Sequence, residues 1–570
     1  MQKKSDKKSV KLISLNINPR DLSIAIVGLR QTAYLDQTIK ENFDISLHQW
    51  NKNYDNFNKQ GTVDGLNLDD IVSQLDPENT DVFGFSTYIW NQEFMTNLCA
   101  KLKKKNPDAK MLFGGSQAGG YGEKFLEYCD SADFVIRGEA EKSFTQFLLS
   151  LLTGDVSDVP NLFYRAGDLI RTTIPVDAKQ AKKASFLSSI ADLPMPFKDE
   201  EYRKFLDESP VPVVAQFETE RGCPLSCTFC SWGTNLALRR RKEEDVKEGL
   251  TFLLDHPNVR AVYIVDANPL IHPEKSLWLT TFLVDVKNKM EQKHGQAKAV
   301  FFELNPEYIK SPVVVENLAK LGGDEFAFGL QSTSDQTLQK IKRKFDRDVY
   351  ETNIKLLRSY NPDANIKFSL ILGLPADNYE SFKSSLNFAI NLRPADIYIH
   401  DLLILPGSEM YRNPEASGLL IEKHPPHRLL ANKTFSRKEY VMAKHLGYHV
   451  KLLHYDKQLR NDILFFSESL CKRPVDVYYK FIMLLENSNI DTLNGELIGD
   501  VSSERFDYLT TTFMGIDKNK KLLRDLFETY KTNPTMTFSI EGTKLELSIE
   551  KECDKYYEFE QKIMNQSNNT

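Results

Sequence analysis

The sequence predicts an α/β protein made of a doubly wound parallel sheet, a partial (β/α)₆ barrel and a mainly helical remainder. Three observations lead there. Between residues 23 and 153 short apolar runs alternate with stretches of helical spacing. From residue 211 to residue 405 a strand-then-helix pattern repeats six times, too few for a closed eight-fold barrel. Beyond about residue 410 the alternation stops and helical patterns dominate.

In the first region the strand candidates are SIAIVG (23–28), ISLHQW (45–50), DVFGFSTYIW (81–90), KMLFGG (110–115) and DFVIRG (133–138). Phe94, Leu98 and Leu102 recur at helical spacing between them, and EKSFTQFLLSLL closes the set as a helix. Ligands of doubly wound sheets bind beyond the carboxyl ends of the strands. Those ends carry Ser86 and Thr87, then Gly114, Gly115 and Ser116, then Arg137, Gly138 and Glu139. Glycines there let a ligand approach the backbone. No G-x-G-x-x-G follows the first strand and no Walker lysine is present, which argues against dinucleotides and nucleoside triphosphates. His48 is expected to be structural, and Tyr88 and Trp90 to pack at a strand end, where they would also be able to face a ligand.

Residues 1–154 thus form one expected domain and 155–210 a linker, with a short hairpin in NLFYRAGDLIRTTI and a turn at DLPMPF. Residues 211–410 form the barrel. Its strands are VPVVAQFETE, AVYIVDAN (261–268), AVFFELN (299–305), FAFGLQS (326–332), IKFSLILG (366–373) and DIYIHDLLIL (396–405). Val246, Leu250, Leu253 and Leu254 share one helix face, as do Phe382, Leu386, Ala389 and Ile390. Residues 411–570 contain the helical stretches KEYVMAKHLGYHVKLLHY and VDVYYKFIMLLEN and a hairpin, TFSIEGTKLELSI. His445 and His449 stand at i,i+4 there without the HExxH glutamate, so a zinc site is not expected.

The chemistry concentrates in Cys223-Pro-Leu-Ser-Cys227-Thr-Phe-Cys230, which follows the first barrel strand. Three close thiolates suit a soft metal centre. A zinc site would want a fourth ligand, and none is apparent. An iron–sulfur cube held by three cysteines keeps one iron open for substrate. A structural metal knot or a chance cluster is the alternative. Cys99, Cys129, Cys471 and Cys553 are dispersed and read as packing or surface residues.

This spacing, with aromatic Phe229 before the last cysteine, resembles the signature of the radical S-adenosylmethionine (SAM) superfamily. Together with GFSTYIWN, the Gly-Gly turn and RGEAE upstream, the chain is similar over residues 20–410 to the cobalamin-dependent class of that superfamily. The resemblance implies a Rossmann-like cobalamin-binding domain before a TIM-type radical SAM barrel. It also implies a [4Fe–4S] cluster on Cys223, Cys227 and Cys230 whose open iron chelates SAM. Asp266 and Asn268 stand where the family has a Gly-Gly-Glu turn for the SAM amino group. Glu303, Asn305, Gln331 and Arg343 (placed on the helix that follows) would contact the ribose and carboxylate of SAM. Gly373 belongs to the strand that binds adenine through its backbone. The Asp-x-His-x-x-Gly motif that ligates cobalt is absent, so cobalamin would bind without a histidine on the metal.

The likeness implies methylation of an inert carbon, or of a phosphinate phosphorus, in a peptide or natural-product intermediate, as in the tryptophan C-methyltransferases of thiopeptide biosynthesis. A ring-closing, ring-contracting or oxidising enzyme with the same cofactors is the rival, and a cobalamin and redox sensor a more distant one. A reducing partner such as flavodoxin or ferredoxin would supply electrons. Composition sets further bounds. A net charge of −6 over 570 residues offers no support for nucleic-acid or membrane binding. Apolar content of 41% with no run of membrane-spanning length suits a soluble protein. The basic start, MQKKSDKKSVK, lacks the apolar segment of a secretory signal. Seven cysteines in such a chain fit a reducing cytoplasm. The run Arg239-Arg240-Arg241-Lys242 reads as a solvated face, or as a steering patch for an acidic substrate.

Overall fold

The computed structural model describes residues 7–16, 22–51, 67–177, 180, 186–232, 237–321, 326–415, 418–422, 426–455, 457–469, 472–479, 539–540 and 543–544. Its first sheet has seven strands in the order β2-β1-β3-β4-β5-β6-β7. These are β1 (Lys8–Asn16), β2 (Phe43–Asn51), β3 (Val82–Ser86), β4 (Lys110–Gly114), β5 (Phe134–Ile136), β6 (Leu162–Ala166) and β7 (Leu169–Thr172). The first five are mutually parallel, and all five residues of β3 are buried, as a strand covered on both faces must be.

Two expectations are corrected here. SIAIVG is not a strand but the start of a helix, Ile24–Ala33, whose buried Ile26, Val27, Arg30 and Ala33 lie on one face. The helical period shows only when the polar residues after Gly28 are counted with the run. The first strand is instead KSVKLISLN, where apolar residues follow a basic lead. The second correction concerns the supposed linker. Its hairpin pairs antiparallel with β5 (Phe134 opposite Tyr164), so residues 162–172 are the edge of the first sheet.

The sheet buries two different faces. Ile13, Phe83, Phe85, Met111 and Phe113 pack against Met95, Leu98 and Leu102 of helix Gln92–Lys105. On the other side Val10, Leu12, Val82 and Leu112 join a core that continues through Phe197 and Phe217 into the second sheet. The two sheets therefore share one apolar core.

The second sheet is the open barrel. It runs β15-β14-β13-β12-β11-β8, all parallel and in chain order, from β8 (Val213–Phe217) through β11 (Val259–Ile264), β12 (Ala299–Leu304), β13 (Phe326–Gln331) and β14 (Ile366–Leu372) to β15 (Asp396–Asp401). Period-two alternation turns Ala215, Val262, Phe302, Phe328 and Phe368 to the surrounding helices. It leaves Gln216, Tyr263, Glu303, Gly329, Ser369 and Tyr398 facing inward. A small antiparallel ribbon, β9 (Glu220–Arg221) with β10 (Arg239–Arg240), brackets the cysteine loop. Past the barrel comes a hairpin of β16 (Leu419–Ile421) and β17 (Leu429–Asn432), then helices Arg437–Tyr455 and Lys457–Ser469. Of the C-terminal hairpin, Ser539–Ile540 and Thr543–Lys544 pair as expected, while the rest, with Cys471 and Cys553, lies outside the described residues. Among the described residues no helix is long and apolar enough to cross a membrane.

A candidate cofactor site between the two sheets

A cavity of about 520 Å³ lies between the carboxyl ends of the first sheet and the mouth of the barrel. Ser86, Gly114, Gly115, Gly138 and Glu139 line it from one side, and Gln216, Glu218 and Tyr263 from the other. Helix Ile24–Ala33 forms a third wall through Gly28, Leu29 and Thr32, so the run misread as a strand lines the site. Tyr88 and Trp90 face this space with their rings stacked 4.5 Å apart and 2° from parallel. Trp232, just past the last loop cysteine, joins them, and no sequence signal marked it.

Thr87, Ser116 and Arg137 do not line the cavity. The Thr87 hydroxyl donates to the Gly114 carbonyl at 2.5 Å and accepts from Ala118 N at 3.2 Å, tying the β3 and β4 ends together. Gly115 makes that closeness possible. It sits at φ +92°, and a Cβ there would stand 2.4 Å from the Thr87 carbonyl oxygen. Ser116 is exposed.

Glu139 lines the cavity but is engaged by protein. Its Oε2 accepts from Arg239 Nη1 at 2.6 Å and from Leu187 N at 2.8 Å. Beside it, Glu141 accepts from Arg221 Nη1 at 2.7 Å. Arg221 also donates to both oxygens of Glu218, at 2.7 and 3.0 Å, and Arg241 reaches Glu218 at 3.1 Å. The basic run is a solvated face only in part: Arg240 and Lys242 are exposed, while Arg239 and Arg241 side chains are 6% exposed and belong to a buried network of three glutamates and three arginines. Burial opposes the charge on Glu218, yet Arg221 and Arg241 hold its carboxyl below the usual range. Burial likewise opposes Arg221, and Glu218, Glu141 and Glu139 outweigh it and raise its pKa.

Arg221 precedes Gly222 (φ +101°) and the first cysteine, so this network fixes where the loop starts. Within the loop, Cys230 N donates to Cys227 O at 3.2 Å. Thr228 N donates to Ile341 O at 3.2 Å, and Met410 N donates to Thr228 O at 3.0 Å. Cys223 and Cys227 are buried, Cys230 less so, and Phe229 packs against the core. Burial, with the neighbouring Cys230 and Cys227, pushes the Cys223 thiol up to about 11, and Arg343 opposes this weakly. The three thiols share this loop, and among the described residues no group of three or more Cys, His, Asp or Glu side chains stands gathered for a metal ion; a bound cluster would stabilise the thiolates.

The barrel residues divide into two groups. Asp266 is buried and saturated: Oδ1 accepts from Thr219 N at 2.8 Å and Glu220 N at 3.1 Å, and Oδ2 from Lys275 Nζ at 3.0 Å and from the Thr219 hydroxyl. Its carboxylate anchors the strand before the cysteine loop and has no capacity left for a ligand. Gly373 is also taken. Leu429 and Tyr440 crowd the position where its Cβ would stand, and Asn432 Nδ2 donates to its carbonyl at 3.1 Å. Asn305 caps the short helix Pro306–Tyr308, accepting from Glu307 N at 3.2 Å. The remaining four are placed differently. Asn268 is buried, and its Nδ2 has no partner among the described residues. Glu303 lines a second cavity of about 380 Å³ inside the barrel, which shares Gln216 and Tyr263 with the first. Gln331 closes β13 at φ +66°. Arg343 lies not on a helix but in the turn between Asp335–Lys340 and Arg347–Tyr360, where it donates to the Gly329 carbonyl beside the cysteines.

Elsewhere, His48 bonds Ser46 on edge strand β2 at 2.8 Å and does not line the cavity. His449 Nδ1 donates to the His445 carbonyl at 2.9 Å, a contact within one helix. Cys99 and Cys129, far apart in sequence, meet in the core of the first sheet. The contact between their thiols lowers the pKa of Cys129, and burial, with that contact, raises that of Cys99.

Comparison with known families bears on the same two regions. The family model described as B12 binding domain matches residues 40–148, and that of the Radical SAM superfamily matches residues 218–389. The chain joins a B12-binding domain to a radical SAM domain. Cobalamin-dependent radical SAM methyltransferase TokK from Streptomyces tokunonensis is 26% identical over 349 residues, covering 58% of this chain and 48% of that protein. Cytidylyl-2-hydroxyethylphosphonate methyltransferase from Streptomyces wedmorensis is 25% identical over 400 residues, 64% of this chain and 72% of that protein. The match to TokK thus spans about half of that relative's length. Among solved structures, the cobalamin-dependent SAM radical enzyme OxsB superposes with a TM-score of 0.59 at 14% identity, covering 97% of this chain and 84% of that one. TsrM from Kitasatospora setae, with cobalamin and a [4Fe–4S] cluster bound, gives 0.54 at 13% identity, covering 72% and 76%. Both likenesses concern the fold.

Proposed function

We propose that this chain is a cobalamin-dependent radical SAM methyltransferase acting on an unactivated carbon of a peptide or natural-product intermediate. The observation that carries the reading is the cavity itself, which opens on the carboxyl ends of both parallel sheets and is lined by Arg221 and Trp232, the residues that flank the three-cysteine loop. Cys223, Cys227 and Cys230 would hold a [4Fe–4S] cluster through three irons. When bound, the cluster, SAM and cobalamin supply the electron, the radical and the methyl carrier.

The residues of the chain bind, orient and exclude water. Arg343, beside the cysteines, suits a carboxylate such as that of SAM, and the unpartnered amide nitrogen of Asn268 adds a donor. Glu303 inside the barrel suits ribose hydroxyls. Gly114, Gly115 and Gly138 let a corrin approach the backbone, and the stacked Tyr88 and Trp90 form an apolar wall that keeps the gap dry. Cobalt would take no histidine from the protein, since His48 stands away from the cavity. The ion network of Glu139, Glu141, Arg221 and Arg239 holds the B12-binding domain over the barrel mouth. The region after residue 410 shapes substrate entry, a flavodoxin or ferredoxin supplies electrons in a reducing cytoplasm, and nucleic acid is not a substrate.

The test is anaerobic reconstitution with iron, sulfide and hydroxocobalamin, followed by mass spectrometry of the products of methyl-deuterated SAM. S-adenosylhomocysteine and a deuterated product are expected, and Cys227→Ala should release no SAM-derived product. A product without deuterium, formed with 5′-deoxyadenosine alone, would move the assignment to a cyclase-type reaction.

A further inference from the structure

We propose that the cavity inside the barrel holds the tail of the substrate, with Arg260 taking a carboxylate at the amino ends of the strands. The inference rests on the reading above and adds the chemical class of the methyl acceptor. Val214, Arg260, Phe301 and Ala327 line this space of about 380 Å³, together with Gln216 and Tyr263.

Arg260 reaches the inside through an irregularity in strand pairing. Val259 stands opposite Val213 and Ala261 opposite Val214, so Arg260 is an extra residue in β11. Val259 and Val262 both join the apolar core outside the barrel, three residues apart, which strict alternation of faces would forbid. The bulge between them absorbs the mismatch and sets Arg260 against the inner cavity. Counted back from Val262 without the bulge, Arg260 would face that core, where an unpaired charge is costly.

Arg260 is exposed, and among the described residues its guanidinium has no hydrogen bond or ion pair. Val214, Phe301 and Ala327 give the space apolar walls. A guanidinium at the rim of an apolar channel suits a carboxylate on an apolar chain. The fork matches the two oxygens of a carboxylate and its single charge, whereas a phosphate dianion would keep a charge uncompensated.

The placement sets a length. Gln216, Tyr263 and Phe301 form one row across β8, β11 and β12, and the first two also line the cavity between the sheets. Arg260 precedes Tyr263 on β11 by a rise of roughly 10 Å. A carboxylate held by Arg260 therefore puts the far end of a chain of that length where the two cavities meet. Closed eight-fold barrels fill their interior with branched side chains. Here β13 contributes only Ala327 and Gly329 to the inside, and the space stays open.

Isothermal titration of phenylbutyrate, and of its uncharged amide, into the reconstituted protein with cobalamin and SAM bound tests the site. Arg260→Gln should bind the carboxylate about tenfold or more weakly than the wild type, the loss of a charge-assisted contact. The amide should bind both proteins alike. Arg260→Lys, which keeps the charge but not the fork, should fall between. Arg171→Gln, at an exposed arginine of the outer hairpin, should match the wild type. Ala327→Leu, which fills the channel, should weaken both probes. SAM, titrated alone, should bind Arg260→Gln as it binds the wild type; a parallel fall would give the carboxylate to the cofactor and overturn the substrate assignment. The site is overturned by absence of phenylbutyrate binding to the wild type, by equal binding to Arg260→Gln or Ala327→Leu, or by an equal loss in the Arg171 control. Binding is read without turnover, so a failure of methyl transfer leaves this result standing, and loss of the site leaves the deuterium test standing.

Discussion

Gly115 sets the local geometry of the cavity between the sheets at the scale of a single residue. With φ at +92° and a Cβ position 2.4 Å from one backbone atom of Thr87 and 2.8 Å from another, no side chain fits without moving β3 away from β4. Gly115→Ala is expected to cost about 2–3 kcal/mol from strain and displacement, read as a lower urea midpoint, and to reduce cobalamin bound per chain. An unchanged midpoint would show that the turn can relax. His48 gives the pH dependence. Burial, helped by Lys11, lowers its pKa from 6.5 to about 4. The folded protein therefore binds fewer protons than the unfolded chain between those values. Its contribution is fully present above about pH 6.5 and is lost as pH falls through about 4. His48→Ala should flatten the stability profile over that window, and an unaltered slope would place the titration elsewhere. The cysteine triplet was legible because its information is local, three cysteines within eight residues of one loop. The engagement of the Asp266 carboxylate was not legible, because its partners, Thr219 and Glu220, are 47 and 46 residues away.

Among the elements, strand order in the barrel could be read directly, since each strand–helix unit repeats one amphipathic pattern and sequential parallel neighbours are the default. Helix Ile24–Ala33 could not. Four apolar residues in a row satisfy either period, and only the buried guanidinium of Arg30, bonded to Asp199 at 2.5 Å, reveals the helical face. The β9/β10 ribbon was equally hidden, because two-residue strands carry no periodicity. Its inner end is held by Asp266, which joins β11 to the strand before the cysteine loop through four hydrogen bonds, one of them from buried Lys275. Asp266→Ala leaves that ammonium without its nearest carboxylate and frees two backbone donors. A loss of about 3–5 kcal/mol follows, with fewer irons retained per chain after reconstitution. Full iron content together with wild-type stability would show that the ribbon holds the loop without it.

Across the whole molecule, the two sheets are joined by one apolar core and one buried ion network. The core runs from Val10 and Leu112 through Phe197 to Phe217, and no solvent layer separates the domains along it. The network crosses the same seam, with Glu139 and Glu141 contributed by the segment from β5 into helix Glu141–Thr153 and Arg221 and Arg239 by the ribbon beside the cysteines. A buried ion pair adds little net stability over an apolar one, but removing one partner strands a charge, so its effect is on registry between the parts. The cobalamin side and the cluster side should therefore respond together. In a double-mutant cycle of Glu141→Gln and Arg221→Gln, each single change should lower both the melting temperature and the iron retained. The pair should be less damaging than their sum, with a coupling of about 1–3 kcal/mol. The cob(II)alamin electron paramagnetic resonance spectrum supplies the independent readout, because Glu141 lines the cavity and Arg221 leads into the cysteine loop. Strict additivity, with that spectrum unchanged in Arg221→Gln, would mean that the two domains are held by their apolar core alone.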